Sequence, residues 1–333
     1  MRLIHGDCLD VMHTLEAGSV EAVVTDPPYF KVKDEEWDRQ WESEASFLEW
    51  TGELCAEWYR LLKPNGSLFV FASPRMSARV ELKIAERFNV LNRITWRKHD
   101  GTDNKGGLWS RANKDIFRNF FPASESIIFA ENYGADNMAK GEAGYVAKCD
   151  ELRGFVFEPL RAYLAGEWER AGLKQEDANK ACGTVSMAGR HFFSRSQWCL
   201  PTEQHYEALR KYANAQGGEF LRREYEELRR PFNVTPEVPY TDIWDFKTVA
   251  AYPGKHPCEK PVALMQHIVT TSTLPGGVIL DCFMGSGSTG VACARSGREF
   301  IGIEKDKEWF LKAQERLKRE SGQGLLFDAE VSA

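Results

Sequence analysis

Residues 276–305 read GGVILDCFMGSGSTGVACARSGREFIGIEK. Val278, Ile279 and Leu280 form a short β-branched run that predicts a buried strand, Asp281 closes it, and Gly285-Ser286-Gly287 predicts a tight turn. From Ser288 a helix begins whose small residues face the sheet. A glycine turn between a strand and a helix is a cofactor loop. Gly285, Gly287 and Gly290 also satisfy G-x-G-x-x-G, and Glu304 closes the next strand where the ribose-binding acid of a nicotinamide dehydrogenase would lie. Position argues against that reading, because a dinucleotide fold needs several strands after its glycine loop. Here one strand, 300–303, and one helix remain. The sheet must be completed by strands from the N-terminus.

Those strands carry the second motif. The apolar run Ala22-Val23-Val24 leads into Thr25-Asp26-Pro27-Pro28-Tyr29. Proline cannot donate to a ladder, so Asp-Pro-Pro stops a buried strand at its C-terminal end, the ligand-binding edge of a parallel sheet. The two prolines fix the backbone so that the Asp26 carboxylate and the Pro27 carbonyl can address one place, and Tyr29 adds an aromatic plane. Two acceptors beside a flat apolar face suit an exocyclic amino group on a planar ring. Standing alone, Asp-Pro-Pro would also fit a plain strand-ending turn.

The intervening chain alternates strands and helices. Leu3-Ile4-His5 predicts a strand ending at Gly6-Asp7, followed by an amphipathic stretch with Leu9, Met12 and Leu15 inward. Phe47, Trp50, Leu54, Trp58 and Leu61 recur at helical spacing, and that helix is expected to end at Lys63-Pro64-Asn65-Gly66. Strands follow at 67–72, 89–98 and 126–130, with a helix over 75–88. The expectation is α/β: a seven-stranded, doubly wound, mostly parallel Rossmann-like sheet with an inserted, mainly helical subdomain.

The order of the motifs, Asp-Pro-Pro-Tyr first and Asp-x-Phe-x-Gly-x-Gly last, resembles the β-group of amino-methylating DNA methyltransferases, circularly permuted relative to other such enzymes. The resemblance covers nearly the whole chain outside the insertion. It implies methylation of adenine N6 in a specific DNA sequence with S-adenosylmethionine as cofactor. Asp26, Pro27, Pro28 and Tyr29 are then the catalytic residues. Asp7, Lys260, Pro261, Asp281, Phe283, Gly285, Gly287 and Glu304 are then the cofactor residues, with Glu304 on the ribose hydroxyls, Asp7 on the adenine and the Lys260-Pro261 helix start along the methionine end. Asp7 also suits a helix N-cap, and Pro261 an ordinary proline-started helix. Cytosine-N4 methylation uses the same geometry and is the nearest alternative; Asp at position 26 favours adenine over it. An RNA or protein amide methyltransferase and a non-catalytic DNA-binding protein are the further alternatives.

The resemblance divides the chain into a catalytic half (1–133), an inserted target-recognition domain (134–245), a cofactor-binding half (246–320) and a tail (321–333). Within the insertion, helices are expected at 158–171, 175–182 and 185–193, the last two joined through Gly183 like a helix-turn-helix whose later helix presents Ser186, Arg190 and His191. Asn179 stands where such motifs usually carry a small apolar residue, and a plain helical packing module fits the same pattern. Residues 196–206 resemble the segment that follows this module in phage-type adenine methyltransferases. Between the strands at 89–98 and 126–130 lies a glycine-rich stretch with Arg97, Lys98, Lys105 and Arg111, part of a span from Arg93 to Arg118 with seven Lys/Arg against three Asp. These four are the candidates for phosphate contact with double-stranded DNA.

Bulk properties fit this picture without requiring it. The 333 residues allow one sizeable core plus an insertion, and 43% hydrophobic content is ordinary. The net charge of -6 means that DNA affinity must come from local patches. Eight scattered cysteines contain no Cys-x-x-Cys pair, so neither a metal site nor a disulfide framework is expected. No apolar run approaches membrane-spanning length and the start enters a strand directly, so a cytoplasmic protein is expected. In the tail, Gln323, Leu325, Leu326 and Phe327 resemble the peptides by which bacterial DNA enzymes bind the sliding clamp. A homodimer, the recognition sequence and any partner nuclease stay open at this stage.

Overall fold

The computed structural model describes residues 1–32, 36–99, 123–131, 158–194, 198–215, 217–228, 241–320 and 328–331. They fall into two compact units, Met1–Tyr133 with Pro231–Ala333, and Gly134–Arg230. Among the described residues, no helix is long and apolar enough to cross a membrane.

In chain order, the first unit contains β1 (Arg2–His5), α1 (Cys8–Thr14), β2 (Val20–Thr25), α2 (Glu36–Arg39), α3 (Glu44–Leu61), β3 (Leu62–Ala72), α4 (Ser77–Ala85), β4 (Asn89–His99) and β5 (Ser124–Glu131). The second unit carries α5 (Glu158–Arg170), α6 (Gln175–Cys182), α7 (Met187–His191), α8 (Glu203–Asn214) and α9 (Tyr225–Leu228). The chain returns with β6 (Ile243–Lys247), α10 (Val262–Ser272), β7 (Val278–Asp281), α11 (Ser288–Arg295), β8 (Glu299–Glu304), α12 (Lys307–Glu320) and β9 (Asp328–Val331).

The nine strands form one sheet in the order β6-β4-β5-β3-β2-β7-β8-β1-β9. β5 runs antiparallel to both of its neighbours, and every other pairing is parallel. Strand side chains alternate between faces, and this sorts the core into two layers. Ile4, Val23, Leu68, Val70 and Leu280 pack with Met12, Leu54, Trp58 and Ile84 on the face of α1, α3 and α4. Leu3, Ala22, Val24, Phe69 and Ile279 pack with Leu264, Ile268, Val291 and Leu317 on the face of α10, α11 and α12. The helices that follow β2 and β7 therefore go to opposite faces, and a crevice opens between those two strands at their C-terminal ends.

All seven expected strands are present, and the glycine-loop strand β7 lies beside the Asp-Pro-Pro strand β2, with Ala22 opposite Ile279 and Val23 opposite Leu280. Two further strands extend the sheet. β6 runs beside β4 with Thr95 opposite Ile243, so this segment belongs to the sheet and the helical unit ends at Arg230 instead of 245. β9 adds to the other edge along β1. It is four residues of Asp-Ala-Glu-Val, too short and polar to announce a strand. The helix α3 ends with its last apolar position, Leu61, just before the stop expected at Lys63-Pro64-Asn65-Gly66. Pro64 cannot continue a helix, and residues 62–66 instead run extended beside β2, where Lys63 pairs with Glu21 at 3.1 Å.

In the second unit, Leu164, Trp168, Ala178, Phe192, Tyr206 and Leu209 form a core of its own. The third expected helix shortens to Met187–His191. Asn179, the residue that looked out of place, joins α6 to α7: its side-chain oxygen accepts from the Thr184 hydroxyl and from the Gly189 amide, both at 3.0 Å. Gly189 has to be glycine there, since a Cβ would stand 2.6 Å from the Gln175 carbonyl.

Candidate active site

Every cofactor-side residue named from the sequence sits at or just beyond the C-terminal end of a parallel strand, apart from Lys260 and Pro261 at the start of α10. At the end of β7, Asp281 accepts from the Thr25 hydroxyl (2.9 Å), the Thr289 hydroxyl (2.6 Å) and the Phe283 amide (3.2 Å). Its carboxyl is almost wholly buried, and burial pushes its pKa up to about 6 even against three donors. Gly285 and Gly287 have φ of +50 and +78, which L side chains rarely adopt, so the turn into α11 depends on them. Glu304 holds that turn: one oxygen accepts from Gly285 N and the other from Asp306 N, each at 2.8 Å. Burial also raises the Glu304 pKa. On the adjacent strand, Asp7 caps α1 by accepting from Leu9 N at 3.0 Å and receives Lys305 Nζ at 3.1 Å. The half-buried Phe283 ring meets Trp50 edge-on at 5.8 Å.

The Asp-Pro-Pro-Tyr segment lies on the other side of the crevice. Asp26 is held at both oxygens, one accepting from Tyr29 Oη at 2.8 Å and the other from Lys260 Nζ. Pro27, Pro28 and Tyr29 line a small apolar cavity with Trp50, Phe71 and Ser73. Lys260, expected along the cofactor, is 7% exposed, and its ammonium lies 5.0 Å from the centre of the Phe71 ring. Pro261 occupies the N-cap position of α10. Burial is the main influence on the Asp26 carboxyl and raises its pKa, opposed by Lys260.

Several residues of the site carry no sequence signature. Glu125, at the start of β5, is buried and accepts from Lys98 Nζ with one oxygen. Its other oxygen lies 3.4 Å from Lys260 Nζ. His256 packs on the glycine turn, its ring 3.3 Å from where a Gly285 Cβ would stand and 4.4 Å from the Trp309 ring centre. Burial lowers the His256 pKa to about 4, so the imidazole is neutral at physiological pH. Glu259 bridges Tyr252 (2.5 Å) and Arg316 (3.0 Å), and Arg316 in turn donates to the Ser286 carbonyl at 3.1 Å. A His-Pro pair and a Ser-Glu pair opening an apolar strand were the available hints.

The expected DNA contacts fare differently. Lys98 turns towards the buried Glu125 instead of outwards, because a buried carboxylate demands a counter-charge. Arg97 is exposed and pairs with Asp245 of β6. Lys105 and Arg111 lie outside the described residues, as do Gln323, Leu325, Leu326 and Phe327. In the helical unit, Ser186 and Arg190 are exposed on α7 and its N-terminal approach, next to Val185 at 99% exposure. His191 is half-buried, and its backbone carbonyl accepts from Cys199 N at 2.9 Å.

The architecture is that of α/β methyltransferases: a DNA modification methylase of Thermus thermophilus, TTHA0409, solved with S-adenosyl-L-methionine, superposes with a TM-score of 0.52 at 20% identity, covering 100% of this chain and 99% of that one. Residues 20–315 match the family model described as DNA methylase, of the N6 and N4 methyltransferases, and the chain belongs to that family. Among its relatives are the DNA adenine methyltransferase YhdJ of Escherichia coli K12 and the type II methyltransferase M2.DpnII of Streptococcus pneumoniae. YhdJ is 26% identical over 95% of this chain and 82% of its own length. M2.DpnII is 24% identical over 96% and 91%.

The buried Asp281 cluster yields a pH-dependent expectation. Thr289→Val deprives one carboxylate oxygen of its donor, which costs about 1–3 kcal/mol when the group is charged. Since the acid titrates near 6, the loss in urea unfolding free energy should be larger at pH 7.5 than at pH 5, where the protonated carboxyl needs less help. A penalty independent of pH would mean that Thr289 acts by packing alone.

Proposed function

We propose that this protein transfers a methyl group from S-adenosylmethionine to the N6 amino group of adenine at a specific sequence in double-stranded DNA. The observation that carries the reading is the Asp26 carboxylate, fixed by Tyr29 and Lys260 just past the end of β2, the strand paired with the glycine-loop strand β7. The name of YhdJ, a DNA adenine methyltransferase, supports the same reading, and that of M2.DpnII, a type II methyltransferase, supports methyl transfer. The crevice suits the cofactor by its donor set. The Glu304 and Asp7 carboxylates end adjacent strands with lone pairs left for hydroxyl and amino groups, and the half-buried Phe283 ring offers a face for an adenine. Asp281, Gly285 and Gly287 keep the turn close to the strand ends, and Lys260-Pro261 closes the side nearest Asp26. S-adenosylmethionine, when bound, supplies an electrophilic methyl on a sulfonium.

The protein's own part is positioning. The target base leaves the helical stack, because its amino nitrogen is otherwise out of reach. Tyr29 gives up its bond to Asp26 and stacks on the base. Asp26 and the Pro27 carbonyl accept from the amino hydrogens, which leaves the nitrogen lone pair free and aimed. After transfer the nitrogen is cationic and strongly acidic, so its proton passes to the Asp26 carboxylate. No covalent nucleophile takes part. In the helical unit, Ser186, Arg190 and His191 are assigned to reading base edges, and the stretch with Arg97, Lys105 and Arg111 to phosphates.

Asp26→Ala should reduce methyl transfer by about 10²–10⁴-fold while S-adenosylmethionine binding, followed by calorimetry, is retained. Nucleoside analysis of the DNA product should give N6-methyladenine. N4-methylcytosine would overturn the base assignment, and wild-type activity in Asp26→Ala would overturn the mechanism.

Arg190→Ala should relax sequence discrimination by about 1–3 kcal/mol at the positions it reads, with little change in binding to random DNA. Equal losses on specific and random duplexes would remove α7 from recognition.

The tail residues Gln323, Leu325, Leu326 and Phe327 are assigned to docking on a bacterial sliding clamp. Purified clamp should be retained by the full chain and not by Leu326→Ala/Phe327→Ala. A full chain that retains no clamp would refute this.

A further inference from the structure

Four charges meet behind the proposed target-base site, and two of them have no place in the mechanism above. Lys260 Nζ bonds one Asp26 oxygen and lies 3.4 Å from Glu125 Oε2, while Lys98 Nζ bonds Glu125 Oε1. Glu125 Oε2 is itself buried, and among the described residues this shared ammonium is its nearest partner. A carboxylate removed from water and balanced only by cations it shares or must draw inward is costly, so its presence needs a reason beyond packing. The two carboxylates compete for one ammonium, and that ammonium also lies 5.9 Å from the centre of the Tyr29 ring.

We propose that Glu125 is a positioning residue for methyl transfer: it draws the Lys260 ammonium partly off Asp26, so that Asp26 keeps acceptor strength for the target amino group while Lys260 still fixes its direction. This rests on the reading of Asp26 as the acceptor for the base. Were Asp26 the sole partner of Lys260, a full ion pair would tie up its lone pairs and weaken its hold on a neutral N–H donor. Lys98 completes the arrangement by offsetting the charge of Glu125. The groups that face this cluster are Tyr29 on the Asp26 loop, Asp281 at the end of β7, and Cys258 and His256 on the segment before α10. The directions at the two acids agree with such a division. Both are pushed up by burial, yet the two lysines bring Glu125 below its ordinary value while Asp26 stays above its own.

The sign of the effect can be read from pH profiles. Transfer requires Asp26 ionised, so the single-turnover rate rises with pH through the Asp26 titration. Glu125→Gln removes a like charge and releases Lys260 wholly to Asp26, which lowers the Asp26 pKa and moves the acid limb to lower pH by about one unit. The plateau rate falls, because the acceptor is weaker. Lys98→Met leaves Glu125 less compensated, pulls Lys260 towards it, and moves the limb to higher pH. The two variants are compared with wild type at saturating DNA and cofactor, with DNA binding measured separately. Opposite displacements support the proposal. Acid limbs that coincide with wild type, however low the rates, overturn it and leave Glu125 as a structural ion-pair member. Should Glu125→Gln fail to fold, Lys98→Met decides alone, since its limb must still move upwards. An Asp26→Ala enzyme as active as wild type would instead defeat the acceptor role itself, so the two failures are separately visible.

Discussion

The pairing of β2 with β7 is the constraint on which the site depends. It joins segments at opposite ends of the chain in parallel register, Ala22 to Ile279 and Val23 to Leu280, and thereby places Asp26 and the glycine turn across one crevice. The hydrogen bond from Thr25 to Asp281 locks the two strand ends together where backbone pairing stops. A slip of one residue would turn every side chain of β2 to the opposite face and take Asp26 out of the crevice. Both faces of the sheet are covered by helices and packed with apolar side chains, which makes such a slip prohibitive. Precision at the edge thus comes from hydrophobic alternation in the middle.

That edge concentrates charge where water is scarce. Asp281 is satisfied by two hydroxyls and an amide, Glu304 by two amides, Asp26 by Lys260 beside the Tyr29 hydroxyl, and Glu125 by lysines. The contrast is chemical. Asp281 and Glu304, which hold the glycine turn and its strand in place, use neutral donors, whereas the carboxylate assigned to the reaction is balanced by a cation whose pull can be shared. Neutral donors give rigidity; a shared cation gives a tunable acceptor.

The fold was legible because its strands are short apolar runs that end in residues unable to continue them: Val278-Ile279-Leu280 at Asp281, and Ala22-Val23-Val24 at Asp26 and two prolines. Glycines at 285 and 287 advertised the turn through their backbone freedom. What stayed hidden shares one cause, that a sequence shows charges without their partners. Lys98 looked like a surface cation in a basic stretch, yet it turns inward because Glu125 needs it. Lys260 looked like a cofactor neighbour, yet its ammonium reaches Asp26. β6 and β9 escaped notice because edge strands of four or five residues gain their order from a neighbour rather than from a pattern of their own. Asn179 looked foreign to its helix pair until its oxygen was seen to tie Thr184 and Gly189 together.

The place of β1 has a consequence for biosynthesis. Its four residues leave the ribosome before the other described strands, but both of its neighbours, β8 and β9, follow about 300 residues later, with Arg2 opposite Ile301 on one side and Asp328 on the other. At about 5–20 residues per second, the first strand waits on the order of 15–60 s for its partners. During that interval the apolar Leu3 and Ile4 have no sheet to join, and β2 lacks the β7 side of its ladder. The crevice is therefore among the last parts of the molecule to close, and its two acidic motifs never meet in a nascent chain that stops short of the glycine loop.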